Sequence, residues 1–353
     1  MSAKTSVSRL VSSDSAGEHR SEATGMSGDA GYIELEKGGL LTTIQDLGRP
    51  GKQVYGVPLS GAMDRFSMQV ANLLVGNPPD APVLEFTLIG PVIRFSCAQV
   101  IAITGGDFHA HLDGVPVPAW QAVPVEAGAR LVMGPCSSGA RGYLAVAGGF
   151  PVPPVMGSAA TNLRGGYGGW HGRALKTGDR IPVPDLGARS RPFSAMRRRL
   201  APRWIPDYAA FRPVRVIRGP HADHFHPEAW QRFLASNYRV SPASDRMGYR
   251  LQGPALTHQQ TADILPTFIF PGTIQVPADG QPIVLMADCQ VTGGYAVIGV
   301  VAGVDLPYVA QRKPGDELCF RAISVEEAQQ LRRQEAVLFA SLQAACLGHR
   351  SSP

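Results

Sequence analysis

Ser60–Phe66 reads SGAMDRF and Ser241–Met247 reads SPASDRM, so Ser, Ala, Asp and Arg recur at the same four places in the two halves of the chain. Each copy is followed by a Gly-Pro turn, within Leu88-Ile89-Gly90-Pro91 after the first and Leu251-Gln252-Gly253-Pro254 after the second. A further echo leads into a strand in each half, LKTGDRI at Leu175–Ile181 against RKPGDEL at Arg312–Leu318. Features that recur in the same order mark a duplicated unit, and two related β domains account for them better than one large domain.

The bulk properties agree. The chain has 353 residues, enough for two or three domains with their own cores. It is 44% hydrophobic, 17% charged and 7% aromatic, the balance of a soluble globular protein, while 40 Gly and 30 Pro imply many turns and short strands. Cys97, Cys136, Cys289, Cys319 and Cys346 are an odd, scattered set without a C-x-x-C pair, which fits a reducing cytoplasm and gives no metal or redox motif. No apolar run approaches the roughly 20 residues that span a bilayer. The net charge of +5 owes much to arginines between Arg189 and Arg218, which reads as a solvated linker and not as a nucleic-acid face.

Along the chain, residues 1–30 are rich in Ser, Ala and Gly and are expected to be a disordered tail. Residues 31–184 alternate turn signals with short β-branched runs, the pattern of a sandwich or barrel. One helix interrupts them, capped by Asp64, running from Arg65 to Val75 with Phe66, Val70, Leu73 and Leu74 on one face, and ended by Gly76-Asn77-Pro78. Residues 185–213 form a Pro/Arg-rich linker, and 214–325 a second β domain with a helix opened by Pro227. Residues 326–353 hold a C-terminal helix and tail; that helix begins at Ser324, with Glu327 placed for a capping box.

The Asp-Arg pair has two readings: a helix start carrying a charge, or part of a site. The richest polar segment is Ile274–Tyr295, where Gln275, Gln281, Asp288, Gln290, Thr292 and Tyr295 punctuate apolar strands. Glutamine offers both a donor and an acceptor, which suits an amide, urea or lactam group; the same side chains could equally satisfy turns and strand ends. The N-terminal counterpart holds Gln45, Asp46 and Arg49. Arg49 and Arg65 could hold a carboxylate or phosphate, with Asp46 and Asp64 orienting them or acting as bases, or the set could stitch a loop to the helix. The His-dense run His221–His226 has the wrong order for a metal-hydrolase motif. His109 and His111 would share one face of a strand, but the Glu of a cupin-like site is missing. No P-loop, strand-linked G-x-G-x-x-G or nucleophile elbow is present, so a nucleotide or biotin would come with a partner.

The runs TTIQDLGRPG, GVPLSGAMD, LEFTLIGP, VIRGPH, SPASDRMGYRLQGP, GTIQVPADGQPIVLMADCQVTGGY and DLPYVAQRKPGD closely resemble the allophanate hydrolase subunit 2 family. That family includes subunits of 5-oxoprolinase, KipA-type antagonists of a kinase inhibitor, and half of the carboxyltransferase domain of urea carboxylase. The resemblance covers about residues 32 to 325 and implies a mainly β fold of two cyclophilin-like β-barrel domains with a few short helices. It implies a subunit 1/KipI-like partner and often a LamB/YcsF-type protein, with 5-oxoproline opened to glutamate at the expense of ATP. The alternatives are carboxyl transfer from biotin, supplied in trans, to urea or a related amide, and a non-enzymatic KipA-like antagonist. For the leading reading Asp64, Asp288 and Arg246 are the expected catalytic residues. Gln45, Arg49, Arg65, Gln275, Gln281, Gln290, Thr292 and Tyr295 are the expected substrate-binding residues, with no metal ligands. Three positions depart from the family pattern: Ala160 where a Ser is usual, Pro266 in place of a Ser-acidic-Gly turn, and Val291 in place of a Thr.

Overall fold

The computed structural model of the chain describes residues 31–185 and 198–347. The expected tail at 1–30, residues 186–197 of the expected linker and the terminal residues 348–353 lie outside them. Among the described residues the protein is mainly β, with four α-helices: α1 (Arg65–Val75), α2 (Ala229–Ala235), α3 (Leu306–Ala310) and α4 (Val325–Leu347).

In the first half two antiparallel sheets face each other. One runs, in spatial order, Arg180–Pro182, Tyr32–Lys37, Val92–Phe95, Arg130–Val132, His111–Leu112 and Val115–Pro116. The other runs Leu41–Gln45, Val83–Thr87, Ser138–Val146, Gln99–Asp107 and Ala122–Val125. In Tyr32–Lys37 the strand period of two sends Ile33 and Leu35 inward, where they meet Ile44, Phe86, Ile101 and Leu144. Gln99–Asp107 is buried on both faces except at its last residue, because α1 covers the side turned away from the core. The sequence places α1 at its observed bounds: Asp64 accepts from Ser67 N at 2.9 Å, and Gly76, at φ 85°, closes the helix onto the Asn72 and Leu73 carbonyls.

The second half is one eight-stranded sheet in the order Glu317–Leu318, Tyr238–Val240, Gly248–Gln252, Ile283–Leu285, Thr273–Gln275, Val297–Val301, Val214–Arg218 and Phe320–Ala322. Its two edge strands are separated in sequence by Cys319 alone, so the sheet curls until it is a nearly closed barrel. Val216, Phe233, Leu251, Ile274, Val284 and Ile298 fill it. The duplicated turn keeps its geometry in both halves: the Asp179 carboxylate accepts from Lys176 N at 2.8 Å, and that of Asp316 from Lys313 N at 3.0 Å. Outside the barrel a two-stranded ribbon, Asp263–Phe268 with Thr292–Tyr295, stands by itself.

Three expectations need correction. The Arg-rich stretch read as a solvated linker contains Leu200 and Tyr208, which are buried against α1. Only half of the capping box at α4 forms, since Glu327 N donates to Ser324 Oγ at 3.1 Å while the Glu327 carboxylate accepts from Arg321 at 3.0 Å. His109 adopts a left-handed turn conformation (φ 48°) ahead of the strand that begins at His111, so the two imidazoles do not share a strand face.

One helix ties the halves together, and one buried carboxylate fastens the end of the linker to the second half. α4 returns to the first half, where the Phe339 ring lies 5.4 Å from Phe66 of α1. Asp305, fully buried ahead of α3, accepts from Arg212 Nη1 at 3.0 Å, from Arg215 N at 2.8 Å and from Arg215 Nε and Nη2 at 2.9 and 2.6 Å. Burial pushes its carboxyl up, but the hydrogen bonds from Arg215 and the charges of both arginines outweigh this and hold it below the ordinary range. A depressed folded pKa stabilises above the unfolded value and is lost as pH falls through the folded one. Asp305→Asn is therefore expected to weaken the fold at pH 7 and to narrow its difference from wild type as pH falls below about 4, measured by urea denaturation across pH.

Candidate functional site

The two Asp-Arg copies meet at the seam between the halves, with opposite residues buried. In the first copy a helix follows, so Asp64 turns in as the cap, fully buried, and Arg65 opens the helix exposed. In the second a strand follows. There Asp245 is exposed, its carboxylate taken up by Met247 N at 2.8 Å and Gly248 N at 3.2 Å, and Arg246 turns in. The surrounding stretch is shared out in the same way. Met63 packs in the second half's core and Ala62 in the cluster around α1. Ser60, held at φ 55°, donates its N–H to Ala287 O at 2.9 Å.

Every nitrogen of the Arg246 guanidinium has a partner. Nε donates to Asp288 Oδ2 at 2.7 Å, Nη2 to Gly61 O at 2.6 Å and Asp288 Oδ1 at 3.3 Å, and Nη1 to Glu85 Oε1. Burial disfavours the charge, yet Asp288 and Glu85 more than offset it and raise the guanidinium pKa. Glu85 Oε2 also accepts from Met63 N and from Tyr143 OH, both at 2.8 Å, and Tyr143 OH accepts from Asp64 N at 2.7 Å. Asp64 Oδ2 in turn accepts from Ser67 Oγ and Tyr208 OH, both at 2.6 Å, and from Gln311 Nε2 at 2.8 Å. Burial pushes the Asp64 carboxyl up, against these hydrogen bonds. Gln311 Oε1 accepts from Ala140 N and Arg141 N at 2.9 Å, while Arg141 Nη1 donates to Tyr249 OH and Ala310 O. The seam is thus a continuous buried chain of charges and hydroxyls that bond to one another, with Arg141 Nε left without a hydrogen-bond partner among the described residues.

The other expected residues divide into engaged and open sets. Asp46 accepts from Gly48 N at 2.7 Å, Ser158 Oγ at 2.6 Å and Ala159 N at 2.6 Å. Arg49 lies over the Tyr167 ring at 4.9 Å and donates to the carbonyls of Val155 at 3.0 Å, Ser158 at 3.3 Å and Ala160 at 2.5 Å. Gln45 Nε2 donates to Thr43 Oγ1 at 3.0 Å and Thr161 O at 3.1 Å. Two atoms of this cluster, Arg49 Nη1 and Gln45 Oε1, are buried without a hydrogen-bond partner among the described residues. Gln275 donates to Tyr295 O at 3.3 Å, and Gln281 pairs with both backbone groups of Gly253, at 2.9 and 3.1 Å. Gln290, Thr292 and Tyr295 are exposed.

Those three lie on or beside the ribbon, which also exposes Leu265 (90%) and Phe268 (57%). Pro266 stands where the ribbon's register shifts, between the Asp263–Tyr295 and Thr267–Gly293 pairs, and proline cannot donate to a further strand. Val291 offers its carbonyl to Ile269 N at 3.1 Å, and Ala160 offers its own to Arg49. Arg65, for its part, faces a cavity beside α4. No group of three or more His, Cys, Asp or Glu side chains among the described residues is arranged to hold a metal. The helix termini do not suit a nucleotide phosphate either: α1 has Asp64 at its N-terminus, and α4 carries Glu326 and Glu327 in its first turn.

Glu85, Arg141, Tyr143, Tyr208, Tyr249 and Gln311 were not singled out from sequence. The one signal was Glu85, an acid inside the otherwise apolar run of its strand, buried at four of five positions. Removing one partner of a buried, paired charge strands the other. Arg246→Ala is expected to destabilise the chain by about 3–5 kcal/mol in urea denaturation, whereas Arg65→Ala, its counterpart in the repeat, changes stability by no more than about 0.5 kcal/mol.

The family model "Carboxyltransferase domain, subdomain A and B" matches residues 55–322. The chain is 38% identical over 310 residues to an Escherichia coli protein named as a subunit of 5-oxoprolinase, covering 88% of this chain and 97% of that one. It is 36% identical over 324 residues to the urea amidolyase of Saccharomyces cerevisiae, covering 88% of this chain and 18% of that protein. The crystal structure of the K. lactis urea amidolyase superposes with a TM-score of 0.79 at 30% identity, over 90% of this chain and 20% of that one. In these multidomain relatives the present chain corresponds to about a fifth of the polypeptide. With the duplicated β architecture, these matches place the chain in the carboxyltransferase domain A and B family.

Proposed function

We propose that the chain is one subunit of an ATP-dependent 5-oxoprolinase-type amidohydrolase complex, acting with a subunit 1/KipI-like partner and, in bacteria, a LamB/YcsF-type protein. The observation that carries this reading is that Gln290, Thr292 and Tyr295 stand exposed around a ribbon with two large uncovered apolar side chains, Leu265 and Phe268. An amide-reading set on an open face is half a site, and the apolar ribbon is the kind of patch a partner protein covers. The near full-length match to a protein named as a 5-oxoprolinase subunit supports it.

In this reading the partner holds ATP, which fits the acidic helix termini of this chain, and activates the lactam carbonyl. Gln290 and Thr292 read the lactam C=O and N–H, and Tyr295 packs against the ring. Arg246, Asp64 and Asp288 brace the seam on which that face is mounted, since their polar atoms are engaged with one another and with neighbouring protein groups. Gln45 and Arg49 keep one unpartnered atom each and are the buried residues of the expected set left with capacity for a ligand.

The family model and the urea amidolyase match favour a second reading, carboxyl transfer to a urea-like amide with biotin supplied in trans. The two separate in a reconstituted complex. 5-Oxoproline-dependent ATP hydrolysis that persists when biotin is sequestered with avidin supports the amidohydrolase; activity lost with biotin supports the transferase. Phe268→Asp should abolish co-purification with the subunit 1-like partner while leaving the isolated chain's thermal midpoint in place. Gln290→Ala should keep the complex and raise KM for 5-oxoproline about tenfold. A Phe268→Asp chain that still co-purifies in wild-type amounts would contradict the ribbon's role.

A further inference from the structure

α1, α4 and the seam line a cavity of about 380 Å³ that is partly open to solvent. Met63, Phe66, Phe270, Met286 and Leu306 give it a largely apolar lining. Three charged side chains also line it, Arg65 from α1 and Arg332 and Glu335 from α4, with Arg65 and Arg332 reaching solvent. Glu335 is engaged by Arg332, whereas Arg65 makes a single hydrogen bond, from Nη2 to Leu47 O at 3.3 Å. Two guanidinium groups and one carboxylate leave one positive charge without a counterpart in the cavity. The α4 wall, Val325–Leu347, lies beyond residues 55–322, the span of the family match.

We infer that this cavity is a ligand site for a small organic monocarboxylate with an apolar body, its carboxylate on Arg65 and its body against Met63, Phe66 and Met286. The volume falls in the range of about 300–1,000 Å³ typical of small-molecule pockets, where apolar walls supply burial and a few polar groups fix orientation. A guanidinium with free donors selects a carboxylate over a neutral amide because charge-assisted hydrogen bonds are roughly twice as strong. The site is complete within this chain and does not depend on which reaction the assembled complex performs.

The experiment is calorimetric titration of the isolated full-length chain with hexanoate and, as its neutral counterpart, hexanamide. Saturable hexanoate binding is expected, with hexanamide about tenfold weaker, an about tenfold loss in Arg65→Met, and several-fold tightening in Glu335→Gln, which frees Arg332 for the ligand. Leu306→Trp, which fills the cavity, should abolish binding of both probes. Thermal midpoints confirm that each variant is folded, and Arg65 is exposed at the helix start, so its loss leaves the fold intact. Equal affinity for the two probes, hexanoate binding unchanged in Arg65→Met, or no saturable binding to the wild-type chain would each overturn the inference.

Discussion

A guanidinium shut away from water has to be neutralised where it lies, and the arrangement of this protein turns on how Arg246 meets that demand. Its partners are contributed by both halves: Asp288 from the second, Glu85 and the Gly61 carbonyl from the first. Separating the halves would keep the Arg246–Asp288 pair but strip Glu85 of its cation and Arg246 of its Glu85 and Gly61 contacts, so each half fixes the position of the other. The same chain of contacts runs through Tyr143 and Asp64 to Gln311 at the C-terminal end of α3, whose other end Asp305 anchors with two arginines.

The duplicated motif shows how one short pattern acquires two uses. A helix after the first copy makes Asp64 a cap and leaves Arg65 outside; a strand after the second, with side chains alternating, sends Asp245 out and Arg246 in. The motif therefore belongs to both the architectural and the chemical reading. Asp64 and Arg246 are the buried members, bonded into the seam, and Arg65 is the exposed one.

The duplication, the β character, α1 with its caps and the family were legible in the sequence because each is written in local pattern or in ordered motifs. The seam was not. Glu85 is an acid within a strand, Gln311 drew no reading and Tyr208 fell in the linker, and nothing near any of them in sequence signals that they converge on Asp64 and Arg246. Gln281, expected from sequence to contact substrate, completes a backbone pair with Gly253, which is what an amide side chain does when a turn leaves both groups free. The return of α4 onto α1 was equally hidden, since its apolar residues Phe339 and Leu342 carry no mark of which half they cover.

If Arg246 is a brace and the ribbon a docking element, chemistry happens on a face completed by another protein. The decisive measurement is an experimental structure of the complex assembled with its subunit 1-like partner and bound substrate. Arg246 should still be bonded to Glu85 and Asp288, with Leu265 and Phe268 buried against the partner and substrate beside Gln290. Arg246 swung onto the substrate, or the ribbon left in solvent, would contradict both roles.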